Sequence, residues 1–560
     1  MNNYKETIGP GLIRNVDILI ALLLFLIAGS GLKWGLPSTH RTMLYAKDVD
    51  RLIGNSQERL FITGPLQSYQ VDECSTLLPL ARMDPRRFDF DPGWFHWGSL
   101  YLYFVGGALG LLSLPGIVTL TSDRLFYLNH PEELANIYLT ARLVTWIFGF
   151  GCVVIFLKLI RHRSSSIIYR SLFGILFVAT PLFVLYSQYA TPDVTMLFWF
   201  MLALHAAGDR HRPPSRRMLF LSFAAAGLAA STKYYGILAI GFPLWSTVRS
   251  KDYSLTMKGL LVSIGGFLIG TPYAVINWRV FFHDVAWQLN HVNVGHGDVF
   301  LGTKPSLFHH LFETFPAGLS PFTTLFIVIT FFLGILLFRR IATPAVLLVI
   351  VALWIQLSRS PLKFSRYALP LIPLHLILGF EVLYAIRLRK ILHVFLITLI
   401  SLGIIGEIVS STRHVRILRA PDIRDRAGEW FAANAEPGDT ILLPGIPYFA
   451  TPPLRSDRFD IVVADIGYKS IRNIDPEWIV ISDYDAEPWI RAPEIRKEEA
   501  EIFRDLTSGL PLPGGMRRYT AHEFRAWTWP GGIAGFESML PHDLRYHCPT
   551  IWIFRREDSE

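Results

Sequence analysis

Residues 17–32 read DILIALLLFLIAGSGL, an apolar stretch with a single charged residue at its start. A helix needs about 20 such residues to cross the hydrocarbon core of a bilayer. Further apolar stretches of similar length follow along the chain, at 143–160, 172–186, 194–207, 258–276, 321–338, 342–357, 366–386 and 391–410. The first is expected to remain as a span, since no small-residue cleavage site precedes the next polar segment. Together the stretches predict an integral membrane protein that crosses the bilayer many times.

The composition of the chain agrees with a membrane protein. Of its 560 residues, 51% are hydrophobic and 18% are charged, whereas about a quarter are charged in soluble domains. The formal net charge of +8 lies mostly in short loops between apolar stretches, where it indicates topology rather than a nucleic-acid partner. Cys74, Cys152 and Cys548 are too scattered to form a disulfide framework or a metal motif.

Basic loops assign the two sides of the membrane, because short cytoplasmic loops are enriched in lysine and arginine. Such loops occur at 161–170, 209–217, 249–258, 339–340 and 387–390. If all of them are cytoplasmic, together with the N-terminus, the spans alternate without conflict after residue 137. The polar segments 33–136 and 412–560 then lie outside the cytoplasm, at the plasma (inner) membrane if the source is bacterial. The count expected from span lengths is roughly eleven.

Residues 99–118, SLYLYFVGGALGLLSLPGIV, disturb this alternation. They are apolar enough to cross the bilayer, but a full crossing would move every later basic loop outside. Three glycines and Pro115 weaken a straight helix in this segment. We therefore expect it to lie along the membrane or to re-enter it. The alternative is a true span that is offset by a missed span elsewhere.

The segment 412–560, called the tail below, alternates short apolar runs with turns. Its runs predict strands at TILLPG (440–445), FDIVVADIG (459–467), EWIVISD (477–483) and PTIWIFRR (549–556). The stretch DIRDRAGEWFAAN, at 422–434, predicts an amphipathic helix. The expected fold is therefore an all-α polytopic membrane domain over 1–411, followed by a small α/β domain outside the cytoplasm.

Acidic residues at two positions are candidates for chemistry. Asp72 and Glu73 stand side by side in VDECSTLLPLARMDP, and a carboxylate there is a candidate general base. The alternative is that they cap the helix that follows. Asp193 opens an apolar helix at the membrane edge, where an ionisable residue is either a cap or a functional group.

Basic residues on the predicted outer side form a second group. Lys233 follows a span rich in small residues, Arg366 and Lys363 lie at the outer end of a later span, and Arg142 is similarly placed. The usual charge distribution disfavours these positions, so a phosphate at the membrane surface is a candidate ligand. The alternatives are a lysine that extends to the interface and contacts with anionic lipid headgroups.

Histidines form a third group: His96 in WFHWGSL, His291 and His296 in HVNVGHGDVF, and His309 with His310. Most of them lie in the predicted outer loop 277–320, which is long and aromatic and suits a substrate loop. No spacing of histidine, cysteine and carboxylate is specific enough to indicate a metal site.

Four stretches of this sequence resemble the C-type glycosyltransferases that use lipid-phosphate sugars, in the branch of protein O-mannosyltransferases and bacterial aminoarabinose transferases (glycosyltransferase family 39). They are VDECSTLLPLARMDPRRFDFDPGWFHWGSLYLYFVGG at 71–107, YSQYATPDVTMLFWFMLALHAA at 186–207, GLAASTKYYGIL at 227–238 and SRYALPLIPLHLIL at 365–378. The resemblance extends over about residues 15–411 and rests on the order and spacing of these stretches. It implies the C-type fold and a polyprenyl-phosphate sugar as donor.

The resemblance also implies a role for the acidic candidates and for His96. Asp72 matches the catalytic carboxylate of the family, and Glu73 completes its Asp–Glu pair. His96 falls in the family's His-x-Pro stretch, where Gly98 here replaces the proline. Asp193 matches the acid at the membrane edge. An insertion between residues 37 and 70 makes Asp48 and Asp50 competitors for the role of base.

The donor phosphate is expected to contact basic residues. The resemblance assigns Lys233 to the family's Thr-Lys turn, and Arg366 with Tyr367 to a late span beside the lipid-phosphate pocket. Arg142 is a further candidate for binding the donor phosphate, and His296 is a further site candidate. Branches of the family differ in metal dependence, so no cofactor is certain and a divalent metal stays open.

The sequence thus predicts a membrane enzyme that moves a sugar from a polyprenyl-phosphate donor to a hydroxyl of a protein, lipid or glycan. Asp72 would accept the hydroxyl proton, and the basic residues would hold the leaving phosphate. Two rivals stay open: a transporter or flippase for an anionic lipid or sugar phosphate, and a non-catalytic scaffold. Transporters usually carry internal repeats and charges at the membrane midplane, and the sequence shows no repeat.

Overall fold

The structure is a computed structural model, and it describes residues 16–45, 64–163, 166–386, 389–445, 449–526 and 540–557. Asp48 and Asp50, the competing candidates for the base, lie outside the described residues. So do residues 1–15, for which the sequence predicts a cytoplasmic position.

The part of the chain before the tail is helical. Its α-helices are α1 (Val16–Ala28), α2 (Thr39–Tyr45), α3 (Val71–Leu77), α4 (Leu100–Ser113), α5 (Arg124–Asn129), α6 (Pro131–Arg161), α7 (Ile167–Val178), α8 (Pro181–Tyr186), α9 (Pro192–Ala207), α10 (Arg216–Thr232), α11 (Gly241–Arg249), α12 (Tyr253–Gly270), α13 (Tyr273–Ile276), α14 (Trp278–Val294), α15 (Ser306–His309), α16 (Phe315–Gly318), α17 (Pro321–Leu336), α18 (Pro344–Arg359), α19 (Leu371–Ala385) and α20 (Lys390–Arg419).

The tail contains helices and strands. In chain order they are α21 (Ile423–Asn434), β1 (Thr440–Leu443), β2 (Asp460–Val463), α22 (Tyr468–Ile474), β3 (Trp478–Ser482), α23 (Asp483–Arg491), α24 (Lys497–Thr507), β4 (Tyr519–Phe524) and β5 (Ile551–Arg556). The predicted helix and the four predicted strands are all present, and β4 is an addition that the sequence pattern did not predict.

Four of the described helical segments are long and apolar enough to cross a membrane by length and composition: Pro131–Arg161, Tyr253–Gly270, Ser365–Ala385 and Lys390–Arg419. Six shorter apolar helices accompany them. The predicted helical membrane domain with a small C-terminal sheet is therefore present. The expected number of eleven spans is not confirmed.

Two apolar stretches take a more broken form than their composition suggests. The stretch 172–186 is divided between α7 and α8, and the break falls just before Pro181. Proline lacks a backbone N–H and disfavours the helical conformation of the residue before it, so a helix ends there. In the stretch 99–118, only Leu100–Ser113 are helical. Two helices of predicted spans, α1 and α7, are no longer than α4, so length does not decide the orientation of this segment, which stays a prediction.

The segment 277–320, predicted as an outer loop, contains the 17-residue helix α14 and several short helical turns. Most side chains of α14 are partly or fully exposed, and Asp284 is its buried residue. That carboxylate accepts the backbone N–H of Phe95 at 2.7 Å. The helix is therefore fixed against the segment that carries His96.

The tail forms a five-stranded mixed sheet with the order β2-β1-β3-β5-β4. The strands β1, β2 and β3 run parallel, while β5 lies antiparallel between β3 and β4. Successive side chains of a strand point to opposite faces of the sheet, so they pack into two different hydrophobic cores. Val480 and Ile553 belong to the large core shared with the membrane helices, whereas Ile479 and Ile481 pack under the tail helices.

Polar contacts join the tail to the membrane part. The helix α20 continues to Arg419, and His414 near its end lies 2.7 Å (Nδ1 to Nε2) from His547. Trp34 donates its indole N–H to Asp422 at 2.9 Å. The sheet therefore sits against the C-terminal end of α20 and next to the segment that follows α1.

Helices α10 and α12 pack at very short distance because small residues face each other. A Cβ atom on Gly227 would lie 2.0 Å from the carbonyl oxygen of Ser263, and one on Gly266 would lie 2.7 Å from that of Ala224. Small residues permit such close approach between membrane helices, which have no hydrophobic driving force toward one another in lipid. Lys233 directly follows α10, so this packing also fixes the position of a candidate site residue.

A pair of glycine substitutions tests this packing. Gly227→Ala is expected to lower the midpoint of thermal unfolding in detergent, because its methyl group collides with the backbone of α12. Gly265→Ala is the matched control, since its Cβ would meet no atom within 4 Å. Alanine is the better helix former by about 1 kcal/mol, so the control should be neutral or slightly stabilised. Equal midpoints for the two variants would contradict the packing described here.

Candidate active site

Asp72 and Arg366, which the sequence places almost three hundred residues apart, form an ion pair. Gln70 caps α3 by accepting the backbone N–H of Glu73 at 2.9 Å, which puts Asp72 in the first helical turn. Arg366 donates from Nη1 to Asp72 Oδ2 at 2.7 Å. The Asp72 side chain is 27% exposed and that of Arg366 is 10% exposed, so the pair lies at the edge of an accessible space.

A second ion pair lies beside the first. Lys233 donates from Nζ to Asp193 Oδ1 at 2.6 Å. Asp193 stands in the first turn of α9, but its carboxylate binds the lysine, and Thr191 at the N-cap makes no side-chain cap. Lys233 directly follows α10 in an extended conformation, which directs it away from that helix. The role of Asp193 here is therefore that of a partner for Lys233.

Tyr367 connects the two pairs. Its ring centroid lies 4.9 Å from Lys233 Nζ and 5.6 Å from Arg366 Cζ, within the range of cation–π attraction. Arg366 also stacks on Phe364 at 4.2 Å. Two cations and two carboxylates thus share a small region lined by aromatic rings. Five of the residues predicted for the site are brought together here.

Glu73 and Arg142 form a third pair, which is buried below the other two. Arg142 donates to both carboxylate oxygens of Glu73 at 2.8 Å and to the carbonyls of Leu32 and Trp34 at 2.7 and 2.6 Å. Neighbouring residues on a helix do not share a face, so Glu73 points inward while Asp72 remains accessible. The structure therefore does not place Arg142 beside Lys233 and Arg366.

His296 lies near the ion pairs, and His96 stands at the far end of a row of rings. The ring centroids of His296 and Phe364 are 5.9 Å apart, and Phe364 is the ring on which Arg366 stacks. From there the row runs through His291 and Trp287 to His96, with centroid separations of 5.2, 5.0 and 4.2 Å. Burial, followed by the positive charge of Arg366, lowers the pKa of His296, so its imidazole is neutral at pH 7.

Gly98, which stands where the resemblance implies a proline, has a packing reason to be glycine. A Cβ atom on Gly98 would lie 1.9 Å from the backbone oxygen of Ser231, at the end of α10. The adjoining backbone is held by Tyr234, whose hydroxyl donates to the carbonyl of Phe95 at 2.6 Å, and by Thr271, which accepts the N–H of Ser99 at 3.1 Å. The segment with His96 is thus packed directly on the turn with Lys233.

Within the described ranges, no group of three or more His, Cys, Asp or Glu side chains is arranged to hold a metal ion. Asp72 is paired with a guanidinium, and Asp193 is paired with an ammonium. These residues do not fit a divalent metal, which prefers several oxygen ligands around one point.

The tail contributes residues to this region that the sequence did not predict. Asp543 contacts the backbone at Arg366 and the hydroxyl of Tyr186. The stretch PHDLRYHCP has no periodic pattern that marks Asp543, and its partners lie far away in sequence. No local signal could have identified it.

Comparison with known proteins supports a transferase. Residues 97–282, a third of the chain, match the family model described as dolichyl-phosphate-mannose-protein mannosyltransferase. Comparison with curated protein sequences gave no significant match.

Three solved structures are similar over most of the chain. ArnT from Cupriavidus metallidurans bound to undecaprenyl phosphate has 12% identity and a TM-score of 0.43, covering 96% of this chain and 97% of that one. The same protein in the apo state has 13% identity and a TM-score of 0.43, covering 86% and 94%. The Archaeoglobus fulgidus oligosaccharyltransferase complex with Zn and sulfate has 12% identity and a TM-score of 0.40, covering 82% and 67%. Because these scores and identities are low, no conclusion about this chain rests on them.

The helices and the paired charges define a membrane protein with a candidate active site. The family match confirms the resemblance predicted from the sequence, and the chain is a membrane glycosyltransferase similar to the dolichyl-phosphate-mannose-protein mannosyltransferases. The matched region contains Asp193 and Lys233 but neither Asp72 nor Arg366.

The buried pair is expected to control folding rather than the chemistry. Glu73→Gln should lower the midpoint of thermal unfolding strongly, because it leaves the buried charge of Arg142 unpaired at a cost of about 3–5 kcal/mol. Asp72→Asn, one residue away and partly exposed, should change the midpoint little. Thermal unfolding of both variants in detergent measures the difference. A similar midpoint for the two variants would contradict the assignment of Glu73, rather than Asp72, as the carboxylate that stabilises the fold.

Proposed function

We propose that this enzyme transfers a sugar from a polyprenyl-phosphate donor to an acceptor hydroxyl, with Asp72 as the general base. The observation that carries the proposal is the arrangement of Asp72 against Arg366, with Lys233 nearby. A carboxylate that accepts a proton and cations that bind a phosphate are the two requirements of this transfer.

The reaction needs few groups because a phosphate is already a tolerable leaving group. The acceptor oxygen attacks the anomeric carbon of the sugar, and the bond from that carbon to the phosphate oxygen breaks on the opposite side. The hydroxyl proton passes to Asp72, and polyprenyl phosphate leaves. This single displacement inverts the anomeric configuration, and its main demands on the protein are positioning and charge stabilisation.

Arg366 and Lys233 are the proposed partners of the phosphate. Each is paired with a carboxylate in the structure, so a bound phosphate competes with Asp72 and Asp193 for them. Both contacts to the Asp72 carboxylate go to Oδ2, which leaves Oδ1 without a hydrogen bond to any described residue. Oδ1 is therefore the proposed acceptor of the hydroxyl proton.

The surrounding groups are proposed to orient the substrates. Tyr367 presents a ring between the two cations, where the pyranose or furanose ring of a donor has an apolar face to contact. His296, neutral at pH 7, can donate or accept a hydrogen bond without adding charge beside Arg366. Arg142 is proposed to fix the position of Glu73 and not to contact the phosphate.

The site is proposed to face away from the cytoplasm. Support comes from the basic loops, which the positive-inside tendency assigns to the cytoplasm. The tail contacts Arg366 through Asp543, so the tail and the site share one side of the membrane. The tail is therefore proposed to be extracytoplasmic as well.

The replacement Asp72→Asn tests the base. Purified protein in detergent is incubated with a radiolabelled polyprenyl-phosphate sugar and an acceptor extract, and the new glycoside and released polyprenyl phosphate are quantified. The wild type is expected to form both products. Loss of a general base typically lowers the reaction rate about 10²–10⁴-fold, so the transfer rate of Asp72→Asn should be lower than that of the wild type by this factor. The matched control Asp89→Asn lies in the same outer segment and is exposed, and it should retain activity.

Two results of this assay would contradict the proposal. Full transfer by Asp72→Asn removes Asp72 from the chemistry. Movement of the donor across a liposome membrane by the wild type, without cleavage of the sugar–phosphate bond, identifies a transporter instead.

Labelling of single cysteines tests the proposed face. Glu494→Cys in the tail and Arg217→Cys in a basic loop are both exposed positions. A membrane-impermeant maleimide should label Glu494→Cys in intact cells and Arg217→Cys only after permeabilisation. The wild type, in which Cys152 and Cys548 are buried and Cys74 is partly buried, sets the background for the introduced cysteines. The reverse pattern would show that the tail and the site face the cytoplasm.

A further inference from the structure

The carboxylate of Asp543 in the tail lies in the membrane part's candidate active site. It belongs to a short 3₁₀ turn, His542–Leu544, and is buried. Oδ1 accepts the backbone N–H of Ser365 at 2.9 Å, and Oδ2 accepts the backbone N–H of Arg366 at 3.1 Å. Oδ2 also accepts the hydroxyl of Tyr186 at 2.7 Å. Three donors from the membrane part thus converge on one carboxylate of the tail.

These contacts fix the direction in which Arg366 leaves the backbone. Ser365 and Arg366 begin the 3₁₀ turn Ser365–Ala368, and the two N–H groups bound by Asp543 are the first of that turn. A rotation of the turn would carry the Arg366 side chain away from Asp72. Because the guanidinium lies at the end of a long side chain, a small rotation of the backbone at Arg366 becomes a larger displacement of the guanidinium.

The segment with Asp543 is itself held firmly. Tyr484 donates its hydroxyl to the carbonyl of His542 at 3.0 Å. Arg545 pairs with Asp483 at 3.3 Å and also contacts Glu487, so it ties the segment to α23. The position of Asp543 therefore depends on the folded tail, not on a flexible loop.

A second residue of the same segment ties it to α21. Tyr546 is buried, and its carbonyl accepts Nη2 of Arg424 at 3.0 Å. The guanidinium of Arg366 itself meets Asp72 and the ring of Phe364. The restraint on the backbone at Arg366 comes from the tail, through Asp543.

We propose that Asp543 is a positioning residue for Arg366, so that the active site is complete only when the tail is docked on the membrane part. The inference rests on the proposed function, since it assumes that Arg366 binds the donor phosphate. It assigns the tail a part in donor binding rather than only a cover over the site.

The replacement Asp543→Asn tests this role in the full-length protein. Asparagine keeps the shape of the side chain but turns an NH₂ group toward one of the three donors, so that donor loses its acceptor. Small misplacements at an active site cost up to about 10²-fold in rate. We expect kcat/KM for transfer to fall about 10–100-fold and the dissociation constant of polyprenyl phosphate to rise. The matched control Asp460→Asn, exposed at the start of β2, should change neither quantity.

The replacement Tyr186→Phe provides a second, milder test in case Asp543→Asn does not fold, because the Tyr186 hydroxyl is one of the three donors to Asp543. It removes one hydroxyl and keeps the ring, so the tail should remain docked. We expect weaker binding of polyprenyl phosphate with an unchanged midpoint of thermal unfolding. A purely structural role would move the midpoint and leave the affinity per folded molecule unchanged.

The outcomes separate this inference from the proposed function. If the wild type binds polyprenyl phosphate and transfers sugar, but the folded variants match it in affinity and kcat/KM, the positioning role is wrong. If the wild type neither binds nor transfers, the proposed function fails and the role of the tail fails with it.

Discussion

The buried ion pair between Glu73 and Arg142 is the contact on which the arrangement of the candidate active site depends. Removal of two charges from water is costly, and a buried pair is tolerated only when its remaining hydrogen-bonding groups are satisfied. Here Glu73 also accepts the hydroxyl of Ser68 at 2.5 Å and the N–H of Ala190 at 2.7 Å. Arg142 binds two carbonyls at the end of the first apolar segment. Four separate parts of the chain are therefore fixed around one pair.

This constraint explains how the accessible charges obtain their positions. Asp72 precedes Glu73 on the same helical turn, so the inward direction of one carboxylate determines the outward direction of the other. Ala190 lies just before α9, which carries Asp193 and through it Lys233. The two accessible ion pairs are thus held in position by the buried Glu73–Arg142 pair, which is not proposed to contact the substrate.

Each proposed phosphate ligand is paired with a carboxylate in the structure. Such pairing stabilises cations that would otherwise be unpaired beside the bilayer. The phosphodiester of the proposed donor carries one negative charge and gains a second when the sugar is transferred, so both cations stabilise the leaving group. Binding of the donor phosphate would release Asp72 from Arg366. Arg366 is restrained further by the tail, which links the membrane helices and the soluble domain into one site.

The sequence predicted much of this protein from local patterns. Apolar length predicted the helical membrane part, the 422–434 pattern predicted α21, and alternating runs predicted four of the five strands. It did not predict the break at Pro181, the helix α14 or the strand β4, because each depends on packing that a short window does not contain. For the site, residue type and position named Asp72, Asp193, Lys233, Arg366 and Tyr367 as candidates.

Only the tertiary structure decided which charged residues form ion pairs with one another. By residue type alone Asp72 and Glu73 are equivalent neighbours, and only their surroundings separate an accessible carboxylate from a buried one. The sequence places Arg142 among the predicted outer cations, but its hydrogen bonds in the structure go to Glu73 and to two backbone carbonyls. Asp543 carries no local signal, since its three donors come from Tyr186, Ser365 and Arg366. Composition and apolar length thus predicted a membrane protein, and the resemblance implied a transferase. Long-range contacts decided which charges face one another, because ion pairs depend on distance in space and not along the chain.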